Sequence, residues 1–217
     1  MTSNEPHRAR SPLHDERGSA LVMSLTASVL LVALGSALIL IAMTETAISA
    51  QAARASQLLS IADAAVERAV AELDARSDWN GALSGADPGS LTDGPPEGVR
   101  EAGGTRVDLT AETAAIQAAS AARLFGGNNP AWQLFIWAPA GRLLESQEHA
   151  YAAVWVGDDP AERDDNPFED GVADAGGGVM LVAAQAFGTG GARRAVEVVV
   201  ERRRSRPARI ITRHEVR

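Results

Sequence analysis

The densest set of potential ligand atoms in the chain is the run DDPAERDDNPFEDG at 158–171. Asp158, Asp159, Asp164, Asp165, Asn166, Glu169 and Asp170 carry the hard oxygens that Ca²⁺ prefers. The spacing departs from the EF-hand: Asp164 and Asn166 keep a ligand interval, but Pro167 follows and no glycine takes the sixth place. A solvated acidic loop is the plainer expectation, and calcium is the only cofactor these residues suggest. At the other extreme of charge, ERRRSRPARIITRHEVR at 201–217 holds seven arginines. Residues 204–217 read as a frayed basic tail. An acidic partner, such as the 158–171 loop of a neighbouring copy, suits it better than nucleic acid, because the whole chain carries a net charge of −8.

Catalytic constellations are lacking. The chain has no cysteine, so thiolate chemistry and disulfides are excluded. Of the four histidines, only His149 falls in the folded part, beside Glu148. Neighbours on a strand point to opposite faces, so the two make no dyad. No serine sits in a nucleophile elbow and no zinc spacing occurs. GTGGA at 188–192 has the composition of a phosphate cradle, but a strand follows it where a helix start is needed, so it reads as a hairpin turn. The expectation is a protein that is not an enzyme, has no small-molecule substrate and does not bind nucleic acid.

The elements that would carry these residues are legible from pattern. WQLFIWA (132–138), AYAAVWVG (150–157), GVMLVAAQAFG (178–188) and RRAVEVVVERR (193–203) are β-branched or aromatic and bounded by turn residues. They predict an antiparallel sheet of about four strands. TRVDL (105–109) reads as a short strand. TAETAAIQAASAARLF (110–125) reads as a helix, with Thr110 and Thr113 as weak caps. The Gly-, Pro- and Asp-rich stretch 80–104 reads as a long surface loop.

Upstream, no proline occurs between Pro12 and Pro88. Ile48, Ala52, Ala55, Leu59, Ala62, Val66, Ala69 and Leu73 recur in alternating steps of four and three, a stripe along one helix face. One helix from about 19 to about 76 follows, roughly 85 Å long, ended by SDWNG at 77–81. Arg68 with Glu72, and Glu72 with Arg76, are i,i+4 pairs. Four of the eight stripe positions are alanine, so a sheet leaning on a small-residue face fits better than a coiled coil.

The first half of that helix is a membrane problem. Residues 20–43 carry no charge, and about 36 Å of helix covers a bilayer core of about 30 Å. Glu45 belongs at or beyond the interface, since a carboxylate at mid-bilayer costs on the order of 3 kcal/mol. Arg8, Arg10 and Arg17 precede the run and the next basic residue is Arg54, which predicts a cytoplasmic N-terminus. A secretory signal with a site at AISAQAA (47–53) is the first alternative, although its apolar region would be too long. A plain single-pass anchor is the second.

Between the charged knot and the apolar run stands one glycine. ERGSALVMSL resembles the class III signal of type IV pilins, and IADAAVERAVAEL at 61–73 resembles the segment that follows the membrane helix in PilX-like minor pilins. The resemblance implies that a prepilin peptidase cuts between Gly18 and Ser19 and that Ser19 is then N-methylated. Major pilins carry glutamate at the fifth mature position. Met23 stands there in this chain, which points to a minor pilin. The implied α+β fold is a lollipop: leader 1–18, membrane and assembly helix 19–44, amphipathic continuation 45–76, head 77–203 and basic tail 204–217. Its partners would be other pilin subunits, the inner membrane and the peptidase. Its location would be the bacterial inner membrane, then a pilus or secretion pseudopilus at the cell surface. A membrane-anchored extracytoplasmic binding domain and a secreted hydrolase are the alternatives.

Overall fold

A computed structural model describes residues 16–123, 129–145, 149–162, 166–170, 178–202 and 207–216. The chain divides into two compact units, residues 1–51 and residues 52–217. Helix α1 (Glu16–Asp74) is continuous through the division. It begins slightly before the expected start and stops slightly earlier than expected.

Within the first unit, residues 18–51 are exposed throughout. The large apolar side chains from Leu21 to Met43 are each more than half accessible, and this is a helix long and apolar enough to cross a membrane.

Within the second unit, α1 buries Leu58, Ile61, Ala62, Ala65, Val66, Ala69 and Leu73. The buried face is wider than the seven-residue stripe, and Ile48 and Ala52 of that stripe are exposed. A sheet contacts a broad helix face, whereas a strict stripe suits the narrow seam of a coiled coil. Past Asp74 the chain turns through Trp79, which is fully buried, and its indole N–H donates to the Leu73 carbonyl at 3.0 Å. That bond satisfies one of the carbonyls a helix end leaves open.

The stretch read as a surface loop is partly structured and partly buried. It holds α2 (Asn80–Leu83) and β1 (Val99–Ala102), and Ala82 and Leu83 join the core. β1 pairs antiparallel with β2 (Thr105–Asp108) as a separate two-stranded sheet. Helix α3 (Leu109–Ala121) follows at once. Its cap is Asp108, whose carboxylate accepts the Ala111 N–H at 3.1 Å. The expected caps have other roles: Thr110 accepts from the Gly98 N–H, and Thr113 donates to the Leu109 carbonyl while accepting from the Trp155 indole.

The main sheet has five strands where about four were expected. β3 (Gln133–Pro139), β4 (Tyr151–Asp158), β5 (Gly178–Phe187), β6 (Arg193–Arg202) and β7 (Arg209–Val216) form an antiparallel meander in chain order. GTGGA does make the β5–β6 turn: Gly190 and Gly191 take φ of 70° and 76°, and the Gly188 N–H bonds the Ala192 carbonyl. β7 comes from the supposed basic tail. Arginine spacing hid it, because its side chains are mostly exposed and its strand character rests on pairing with β6. Arg213 and Arg209 are tied by ion pairs to Asp63 of α1 and Glu201 of β6.

Two cores result, one on each face of the sheet. Ala152, Val154, Val156, Met180, Val182, Val196, Val198 and Val200 face α1. Tyr151, Ala153, Trp155, Leu181, Ala183 and Phe187 pack with Val107 and Leu109 beneath β2 and the start of α3. β4 is therefore buried at every residue.

Candidate functional site

The Gly18–Ser19 junction lies in the first turn of α1, two residues after its start at Glu16. First-turn N–H groups have no intrahelical partners, and glycine costs a helix about 1 kcal/mol relative to alanine. Both features favour local unwinding of the bond that the sequence singles out. Gly18 and Ser19 are exposed, and so is Met23, at 67%.

Beyond Ser19 the helix meets the demands of an apolar solvent from within. Polar groups in hydrocarbon must find internal partners. Ser24 donates to the Leu21 carbonyl, Thr26 to those of Val22 and Met23, Ser28 to that of Ser24, and Ser36 to that of Val32. Thr44 and Thr46 repeat the pattern on Leu40 and Ala42. Every such distance is 2.8–3.0 Å. Glu45, between Thr44 and Thr46, is the first charge after the apolar run, and Arg54 the first cation.

Among the described residues, no group of three or more histidine, aspartate or glutamate side chains is placed to hold an ion. Asp158 and Asp170 are buried, at 5% and 4% exposure. Asp159 accepts the Ala161 N–H at 3.0 Å and Asn166 accepts the Phe168 N–H at 3.3 Å, so both shape local turns. The Asp170 N–H donates to the Asn80 side chain, and its carboxylate lies against Gly178, where a Cβ would collide with it. Asp164 and Asp165 lie outside the described residues. His149 lies ahead of β4 and its carbonyl accepts from Thr105 Oγ1, while Glu148 falls outside the described residues.

The expected Arg68–Glu72 pair forms, and Ser90, which pattern reading missed, joins it to fasten α1 to the chain after it. Glu72 accepts from Arg68 Nε at 2.6 Å, Ser90 Oγ at 2.6 Å and the Ser90 N–H at 2.7 Å. Burial works against its ionisation, but the two Ser90 bonds and Arg68 outweigh burial and hold the carboxyl below its ordinary range. Arg76 does not pair with Glu72. It meets Asp87 at 3.1 Å, donates to the Pro88 carbonyl and stacks over Phe135. Arg202 stacks over Trp79 and donates to the Arg76 carbonyl. Each guanidinium covers an aromatic ring at 4.5 Å while its donors close the turn after α1.

Comparison of the chain with protein-family models, with curated proteins and with solved structures finds no match.

Proposed function

We propose that this chain is a minor pilin or pseudopilin, a structural subunit in the assembly or initiation of a type IV pilus or a related secretion pseudopilus. The observation that carries the reading is α1 itself. A glycine–serine junction in its first turn precedes a charge-free, fully exposed stretch whose hydroxyls are all satisfied by the helix. The same helix then supplies a broad buried face to an antiparallel sheet. Helix, sheet and the order of charge, glycine and apolar run are what a pilin-type subunit requires.

The mechanism follows from solvent exchange. The exposed half is stored in lipid and then transferred among like helices. Apolar burial is worth about 25 cal/mol per Å², and both environments supply it, so the transfer is close to neutral. Work from an assembly motor therefore drives it, and a minor subunit serves to nucleate the bundle. Met23 leaves the fifth mature position uncharged, which suits a subunit that starts or ends a fibre.

The test is the mature N-terminus. Co-expression with an active prepilin peptidase, followed by N-terminal mass spectrometry, should give N-methylated Ser19. Retention of Met1 would instead support a single-pass anchored binding domain. A terminus near residue 50 would support a secreted protein.

A further inference from the structure

The buried face of α1 begins at Leu58, and the β5–β6 turn approaches it there: a Cβ on Gly188 would come within 3.2 Å of the Leu58 side chain. A cavity of about 390 Å³ lies beside that contact. Arg54 and Leu58 of α1, Glu145 and His149 from the connection between β3 and β4, and Ala192 just before β6 line it. Arg54 and Leu58 are four residues apart, so they share one helix face. The wall at residues 149 and 150 is pinned through its backbone. The His149 carbonyl accepts from Thr105 Oγ1 at 2.8 Å, and the Ala150 carbonyl from the Ala140 N–H at 2.9 Å.

The charges in this cavity differ from those elsewhere in the second unit. From residue 54 onward, every described arginine but one holds a carboxylate or a backbone carbonyl. Arg54 is the exception: among the described residues its guanidinium has neither a hydrogen bond nor an ion pair. Glu145, on the same cavity, has no partner among the described residues either, and the two do not pair with each other. Both side chains are exposed, so a molecule entering the cavity reaches them without displacing a protein contact.

These two charges restrict what fits. An anion alone would gain Arg54 but face Glu145, and a cation alone would gain Glu145 but face Arg54. The terminus of a polypeptide brings one of the two charges. A small molecule that carries both matches both. Arginine favours a carboxylate, which its planar fork binds with two parallel hydrogen bonds. Leu58, Ala150 and Ala192 add an apolar part to the lining, which suits an aliphatic body. The volume lies in the range of about 300–1,000 Å³ typical of small-ligand sites.

We propose that this cavity binds a free α-amino acid with an aliphatic side chain, its carboxylate held by Arg54 and its ammonium by Glu145. Binding makes and breaks no covalent bond. Every lining residue belongs to the second unit, so the proposal stands or falls separately from processing at Gly18–Ser19.

Leucine is the probe, with two derivatives that each lack one charge. Leucinamide has no carboxylate, and N-acetyl-leucine has no ammonium. Equilibrium dialysis of the full chain in lipid nanodiscs, with empty nanodiscs as the blank, should show saturable leucine binding. Each derivative should bind at least ~5-fold more weakly, as the loss of one charge-assisted hydrogen bond requires. Arg54→Gln should erase the advantage of leucine over leucinamide. Glu145→Gln should erase its advantage over N-acetyl-leucine. Both side chains are exposed and unbonded, so both variants should melt with the parent. Absence of saturable leucine binding, a derivative that binds the parent as tightly as leucine does, or an advantage that survives its own substitution overturns the proposal.

Discussion

Glu72 has a carboxyl held below its ordinary range, and the sign of the consequence is fixed. A depressed folded pKa contributes stability above the unfolded pKa and loses it as pH falls through the folded value. Glu72→Gln keeps the shape but not the charge. It should lower the melting temperature at neutral pH, and the gap to the parent should close as the pH falls below the ordinary carboxylate range, in parallel thermal melts. A gap constant with pH would mean that Glu72 acts by packing alone. Gly178 makes the second case at this scale. Its missing Cβ leaves room for the Asp170 carboxylate, so Gly178→Ala should cost on the order of 1–3 kcal/mol in denaturant unfolding. Gly178 was not legible beforehand, and Glu72 only in part, through its pair with Arg68. Glu72 was expected to pair with both Arg68 and Arg76, but Ser90, eighteen residues on, takes the place of Arg76. Ser90 lies in a stretch whose Gly and Pro content says only that it turns. Contacts of that kind depend on where a loop returns, which local pattern does not encode.

At the scale of elements, the alanines of α1 do the positioning. Ala62, Ala65 and Ala69 are fully buried, while Ala52 is exposed. Ala65→Leu should destabilise by about 1–3 kcal/mol through overpacking, and Ala52→Leu should be nearly neutral. Equal effects in urea unfolding would contradict the buried face drawn here. Trp79→Ala removes a fully buried ring, the stacking partner of Arg202 and a helix-end bond together. A loss of about 3–5 kcal/mol is expected. Strands β3 to β6 were readable because their β-branched and aromatic runs end in turn residues. β7 was not: Arg209, Arg213 and His214 give it the look of a solvated tail, and only its register against β6 makes it a strand. Asp108 was overlooked as a cap because it falls inside the strand reading TRVDL, where strand and helix meet with no loop between.

For the molecule as a whole, the order of features along α1 matters more than any one of them. A single charge at its apolar centre should be decisive. Val32→Arg places a cation among side chains with no counterion, at a cost of about 2.5–3.5 kcal/mol on insertion scales. The variant should leave the membrane fraction on carbonate extraction, while circular dichroism of the sheet-bearing part stays unchanged. Membrane retention equal to the parent would argue against residues 20–43 as the span. This part of the fold was the most legible, because an uncharged helical run without proline needs no tertiary contact to be recognised.

The hydroxyls of that run hold a further consequence. Ser24, Thr26, Ser28 and Ser36 have already committed their protons to carbonyls of their own helix. In the fibre proposed above, an adjoining rod would thus be offered contour instead of polarity, and would recognise this one by the bumps and hollows of its leucines, valines and isoleucines. Trading serine for alanine along it should pass almost unnoticed, whereas reshuffling the branched side chains should alter which neighbours it accepts.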